Sequence, residues 1–139
     1  MIYFIDTNIF LRVLIKEEKF EECYQFLDLV RQNKIKAITS SPVMAEIDWV
    51  LEGFYKFEKM EVIKGLKSIL KLKGLRIIDK MDVSLAIEFY KNYNIKFIDA
   101  LIASNPKIFK KEITIISYDK DFDKINVLRK EPKEILKKI

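Results

Sequence analysis

Histidine is missing from all 139 residues, which removes imidazole bases, Ser-His-Asp triads and His-ligated metals at once. A lone cysteine, Cys23, leaves no internal disulfide and no thiolate zinc cluster, so nothing calls for an oxidising compartment. Glycine and proline number 3 each, too few for a collagenous or low-complexity chain. Long apolar runs are missing too: the longest stretch free of charge is Ala37–Ala45, well short of the ~20 residues a membrane helix needs. The start, Met1–Ile5 followed at once by Asp6, has neither the basic opening nor the apolar region of a secretory leader. The expectation is a cytoplasmic protein that does not meet a membrane.

What is present can build a core. Half of the residues are hydrophobic, and the length suits one domain over 1–139. The 26 Lys and Arg against 21 Asp and Glu leave +5, a mild lean toward polyanionic partners. A surface rich in Lys and Glu but poor in Gln is also a thermophile's habit, and it predicts a thermal midpoint above the mesophile range.

The run Ile2–Ile5 is continuous, apolar and rich in β-formers, as a strand covered on both faces must be. From Phe20 the positions Cys23, Tyr24, Leu27 and Val30 recur at helical steps, with an end near Asn33. Ile35–Thr39 leads to Ser40-Ser41-Pro42, a helix start with a serine to cap it and a proline for its first turn. The helical period holds from Val43 through Trp49 to Phe54 and returns over Val62–Leu70, with Gly74 expected to close that second helix. Leu75–Ile78 predicts a strand, Val83–Tyr93 a helix, Ile98–Ser104 a short helix ended near Pro106, and Ile113–Ser117 a second buried strand. Asn126–Leu128 predicts a short edge strand and Pro132–Ile139 a basic helical tail. Strands alternating with helices give an α/β fold in layers around a mainly parallel sheet, whose crevice lies beyond the carboxyl ends of the strands.

Acids gather at the places such a crevice would use. Asp6 directly follows the first buried strand, and Asp119 follows the second after only Tyr118. Either alone would serve as a helix cap. Glu46 shares a stripe with Val43, Val50 and Gly53, and Asp99 shares one with Ile95, Ile102 and Ala103, although a lysine salt bridge or the helix dipole would account for either singly. No cation stands out in these four runs. Converging carboxylates repel one another, and ionising several together requires a neutralising ion; hard oxygen donors suit Mg2+ or Mn2+. Such an ion supports hydrolysis at phosphorus without histidine.

At Phe4-Ile5-Asp6-Thr7-Asn8, Pro42-Val43-Met44-Ala45-Glu46, Phe97-Ile98-Asp99-Ala100-Leu101-Ile102-Ala103 and Ile116-Ser117-Tyr118-Asp119-Lys120-Asp121-Phe122 the sequence resembles the PIN-domain nucleases, particularly the VapC-type toxins of toxin–antitoxin pairs. Each motif is weak alone, but their order and spacing span the chain. The resemblance implies a Rossmann-like three-layer α/β/α sandwich whose acidic pocket binds Mg2+ or Mn2+ and cleaves RNA. It carries over Asp6, Glu46, Asp99 and Asp119 as the metal-binding and catalytic acids, with Asp121 as an auxiliary ligand and Thr7, Asn8 and Ser117 as supports. Ser117 stands where threonine is common in the family, which keeps the hydroxyl.

The same resemblance implies a homodimer and a small antitoxin partner. Lysines 107, 110 and 111, with Arg129, Lys130, Lys133, Lys137 and Lys138, are candidates for phosphate contacts, and Trp49, Phe54, Tyr55 and Phe57 are expected mainly to pack the core. An RNA-processing enzyme of the same fold, a silent RNA-binding or assembly module and a haloacid-dehalogenase-like phosphatase are the alternatives. The phosphatase needs an aspartate where Asn8 stands, and a silent module would be expected to have lost site acids.

Overall fold

The computed structural model describes residues 1–139. An apolar run with no polar alternation must be covered on both faces, and β1 (Ile2–Ile5) accordingly forms the centre of a five-stranded sheet. It is flanked by β2 (Lys36–Thr39) and β4 (Thr114–Ile116), with β3 (Leu75–Ile77) and β5 (Arg129–Lys130) at the edges, in the order β3-β2-β1-β4-β5. Every pairing is parallel, and Phe4 lies opposite Ile38 on one side and Ile115 on the other. Phe4, Ile5, Ile115 and Ile116 are fully buried, each contributing ~1.5–3 kcal/mol of burial.

The helices are α1 (Thr7–Leu14), α2 (Phe20–Arg31), α3 (Ser41–Gly53), α4 (Lys59–Leu70), α5 (Val83–Asn92), α6 (Phe97–Ala103), α7 (Pro106–Phe109) and α8 (Pro132–Leu136), and a 3-10 turn covers Lys120–Lys124. One packed group joins α1 to α2 and α3, α3 to α4 and α2 to α8, while a second joins α5 to α6 and α6 to α7. This division follows from right-handed crossovers: the chain moves outward from β1 through β2 to β3, then returns to place β4 on the other side of β1, so the connecting helices change face. The reversal puts a crevice between the carboxyl ends of β1 and β4, the position at which open α/β sheets bind their ligands. No helix is long and apolar enough to cross a membrane.

Three details differ from the sequence reading. Gly74 does not close α4, which ends at Leu70 with Lys71 as its cap. Gly74 instead bonds Val30 and Ala37 through its backbone, so close that a Cβ would lie 2.2 Å from the Ile35 carbonyl oxygen. The edge strand falls at Arg129–Lys130 rather than Asn126–Leu128, because the ladder to β4 begins only where Leu128 and Lys130 accept from Ile115 and Ser117. The terminal helix stops at Leu136.

Candidate active site

Asp6 ends β1 and starts α1. Its backbone N–H bonds Ile116 in β4, which fixes the strand end. One carboxylate oxygen accepts from the Thr7 amide at 2.8 Å; the other accepts from the Ser117 hydroxyl at 2.6 Å and the Asn8 amide at 3.1 Å. The acid therefore does the local work of a helix cap and faces the crevice as well. Burial pushes its pKa up to about 6, against the Ser117 and Thr7 bonds, with the charges of Glu46 and Asp119 adding to the rise.

Asn8 and Ser117 lock the two strand ends together. The Asn8 side chain donates to Ser117 Oγ at 2.9 Å and accepts from the Tyr118 amide at 3.2 Å, a double duty that an aspartate could not perform. Ser117 Oγ also receives the Asp119 amide at 3.0 Å, and Asp119 caps the 3-10 turn through the Asp121 amide at 2.9 Å.

Asp99 sits in the first turn of α6, 2 % exposed, and its Oδ2 has no hydrogen-bond partner. Burial first, then the charge of Asp6, raises its pKa to about 8, with Lys96 opposing and Asp119 reinforcing the shift. Carboxylate oxygens of Asp99, Asp119 and Asp121 lie within 4.8 Å of one another. Two further buried hydroxyls without partners, Thr7 Oγ1 and Ser40 Oγ, follow the adjacent strands β1 and β2. Ser40 precedes α3 without capping it through its side chain.

Glu46 takes a more open place. The buried face of α3 is Val43, Ile47 and Leu51, so Glu46 lies half-buried on the flank and Gly53 is exposed, rather than both sharing the core stripe. Its charge reaches Asp6 and Lys96, but Glu46, like Asp6, is outside the close trio of Asp99, Asp119 and Asp121.

The sequence reading found no cation standing out in these runs; Lys96, immediately before the third, supplies one. Its ammonium lies 3.7 Å from Asp119 Oδ2. Partial burial works against its charge, but the fields of Asp99, Glu46, Asp119 and Asp6 together raise its pKa. The available signal was its position three residues before Asp99, on the side of α6 that the acid occupies.

Other expectations shift in the same region. Trp49 and Phe54 are 72 % and 76 % exposed, not core residues, whereas Phe57 packs on the core and Tyr55 bonds Glu17. Arg129 is held by Asp123, Glu131 and the Ser117 carbonyl, which commits its guanidinium to the scaffold behind Ser117. Lys107 and Lys110 line a groove with Ile2 and Ile113, at the opposite ends of β1 and β4 from the acids. Sequence reasoning also missed the brace around Tyr118, whose hydroxyl bonds Glu22 at 2.8 Å while Arg12 lies 4.4 Å above its ring.

The oxygen-only donor set, its mutual repulsion and the partnerless Asp99 oxygen fit a hard divalent cation. Known proteins of one family are similar to this chain. The PIN domain profile matches residues 3–128. A VapC ribonuclease of Aquifex aeolicus is 27% identical over 132 residues, covering 94% of this chain and 96% of that protein. VapBC2 from Rickettsia felis, solved bound to a DNA fragment from their promoter, contains a chain similar at 28% identity and TM-score 0.64, over 94% of this chain and 98% of that one. VapC20 of Mycobacterium tuberculosis, a Sarcin-Ricin loop cleaving toxin, shares the fold at TM-score 0.70 and 16% identity, over 92% and 97%.

Proposed function

Because this chain belongs to the PIN domain family, we propose that its acidic crevice hydrolyses RNA phosphodiester bonds with a divalent cation, as the toxin of a toxin–antitoxin pair. The buried Asp99 oxygen, left without a protein partner among clustered carboxylates, carries this reading.

Asp6, Asp99 and Asp119 would hold Mg2+ or Mn2+, with Glu46 and Asp121 completing the set. When bound, such an ion polarises the phosphate and lowers the pKa of water. The chain's residues then have distinct tasks. Thr7, Asn8 and Ser117 keep Asp6 ionised and correctly turned by donating to it. Asp121 and Glu46, less buried than Asp6 and Asp99, would accept a proton from an attacking water. Lys96 supplies the positive charge needed beside an incoming phosphate.

A small antitoxin is the proposed protein partner, supported by the similar chain solved within VapBC2. A second copy is proposed on α5, where Val83, Ile87 and Tyr90 form a helical stripe, each more than half exposed. The test of function is cleavage of a labelled structured RNA pool in Mg2+, Mn2+ or EDTA, beside folded Asp6→Asn and Asp99→Asn variants. Metal-dependent cleavage lost in both variants is expected. Equal cleavage by wild type and variants would remove the activity from this crevice.

A further inference from the structure

Beside the acids, α3 and α6 flank an open, shallow cleft of ≈ 580 Å³, within the ~300–1,000 Å³ range of ligand sites. Its walls are apolar, formed by Pro42, Trp49, Phe97 and Leu101, while Glu46 and Lys96 line both this cleft and the acidic crevice. Trp49 follows Glu46 by three residues and so lies next to it on the surface of α3. The indole is 72 % exposed, with nothing in the chain covering it. Phe97 is 38 % exposed and braced edge-to-face by Tyr90, their ring centroids 5.6 Å apart.

Resting on the ribonuclease reading, we propose that this cleft is a nucleobase subsite, in which Trp49 and Phe97 stack an unpaired base of the RNA while Lys96 meets an adjoining phosphate. An aromatic wall joined to a cation matches the two halves of a nucleotide: a flat π-face and an anion. The cleft is continuous with the acids through Glu46 and Lys96, so a base seated there belongs to a nucleotide near the bond to be broken. Bases stacked within a duplex cannot present a face to such a wall, which makes the site selective for loops, bulges and single strands.

Trp49 is the only tryptophan in the chain, so its emission reports on the cleft directly. The test is rapid mixing of wild-type protein in Mg2+ with a mixed-sequence single-stranded RNA, alongside the same backbone carrying abasic sites, while product formation is followed on a gel. The proposal expects saturable quenching by the RNA, in a phase that precedes product, and little quenching by the abasic strand. In steady state, Trp49→Ala is expected to raise KM by about 10-fold, equivalent to ~1.4 kcal/mol. Its kcat should stay within about 2-fold, and Trp49→Phe should remain close to wild type. Trp49 is exposed enough that its loss should not unfold the chain.

Cleavage without any change in Trp49 emission would overturn the subsite and leave the ribonuclease reading standing. Emission that varies with protein concentration but not with RNA would assign the cleft to a second copy instead. Absence of cleavage in every metal, seen on the gel, would sink both.

Discussion

Two carboxylates on opposite rims of the crevice are almost equally buried, Asp6 at 4 % and Asp99 at 2 % exposed, and they are treated differently by the fold. Asp6, on the strand rim, has both oxygens occupied by donors from its own chain. Asp99, on the helix rim, has one oxygen that receives nothing. Their pKa values separate accordingly, to about 6 and about 8. Burial raises both; hydrogen bonds from Ser117 and Thr7 hold Asp6 back, and the charge of Asp6 pushes Asp99 further up. The strand rim is thus a finished scaffold, and the helix rim leaves a buried acceptor open.

The contrast is broken most severely by Asp99→Asn and Asp6→Asn. Both should reduce RNA cleavage by about 10³-fold or more, as expected when several kcal/mol of electrostatic stabilisation are removed. Their metal-free stabilities should diverge. Above about pH 8, where Asp99 is ionised, Asp99→Asn removes a buried charge that no donor meets and should raise the thermal midpoint in EDTA, whereas Asp6→Asn sets an amide against three donors and should lower it. Calorimetry of the two variants would contradict the contrast if both midpoints moved the same way.

Next in size is the pH dependence of the metal-free protein. Both folded pKa values lie above the ordinary 3.8, so the fold binds more protons than the unfolded chain. Stability from these groups is greatest at acid pH and declines as pH rises, through about 6 for Asp6 and about 8 for Asp99. Asp28 and Asp123 have lowered values and act in the opposite sense, below the ordinary 3.8 and outside this window. The midpoint in EDTA should fall by more than about 5 °C between the acid and alkaline sides of the window, and Asp99→Asn should flatten most of that slope.

Smaller effects should follow from the supports. Ser117→Ala removes the donor to Asp6 and the acceptor for the Asp119 amide, and should weaken Mn2+ binding by about 10- to 100-fold. Lys96→Ala removes a competing cation and should tighten Mn2+ binding by about 5-fold, the order of ~1 kcal/mol for a solvated charge pair. Titration calorimetry in which both variants weakened binding alike would show that Lys96 supports the ion rather than competing with it.

Much of this was legible in the residues. Ile2–Ile5 and the Ile113–Ser117 run could only be buried strands, and acids directly after them had to open on one crevice. What escaped were features set by tertiary context. Thr7–Leu14 drew no assignment from its sequence, in which Thr, Ile, Phe and Val favour strands, yet it folds as α1 because Asp6 accepts the first free amide and Ile9 and Phe10 are buried. Gly74 had the sequence position of a helix stop, but its reason is a close approach to Ile35. Lys96 was one lysine among many until α6 placed it beside Asp119, and Trp49 kept the helical period of a core residue while facing outward.

On the proposed reading, the crevice holds a divalent cation through the oxygen of Asp99 that the protein leaves free. A Mn2+ titration at neutral pH, followed by the thermal midpoint of wild type and Asp99→Asn, tests it most directly. Wild type should show a saturable rise and the variant little or none. Equal rises in both would show that the ion is held elsewhere and that the free oxygen of Asp99 has another purpose.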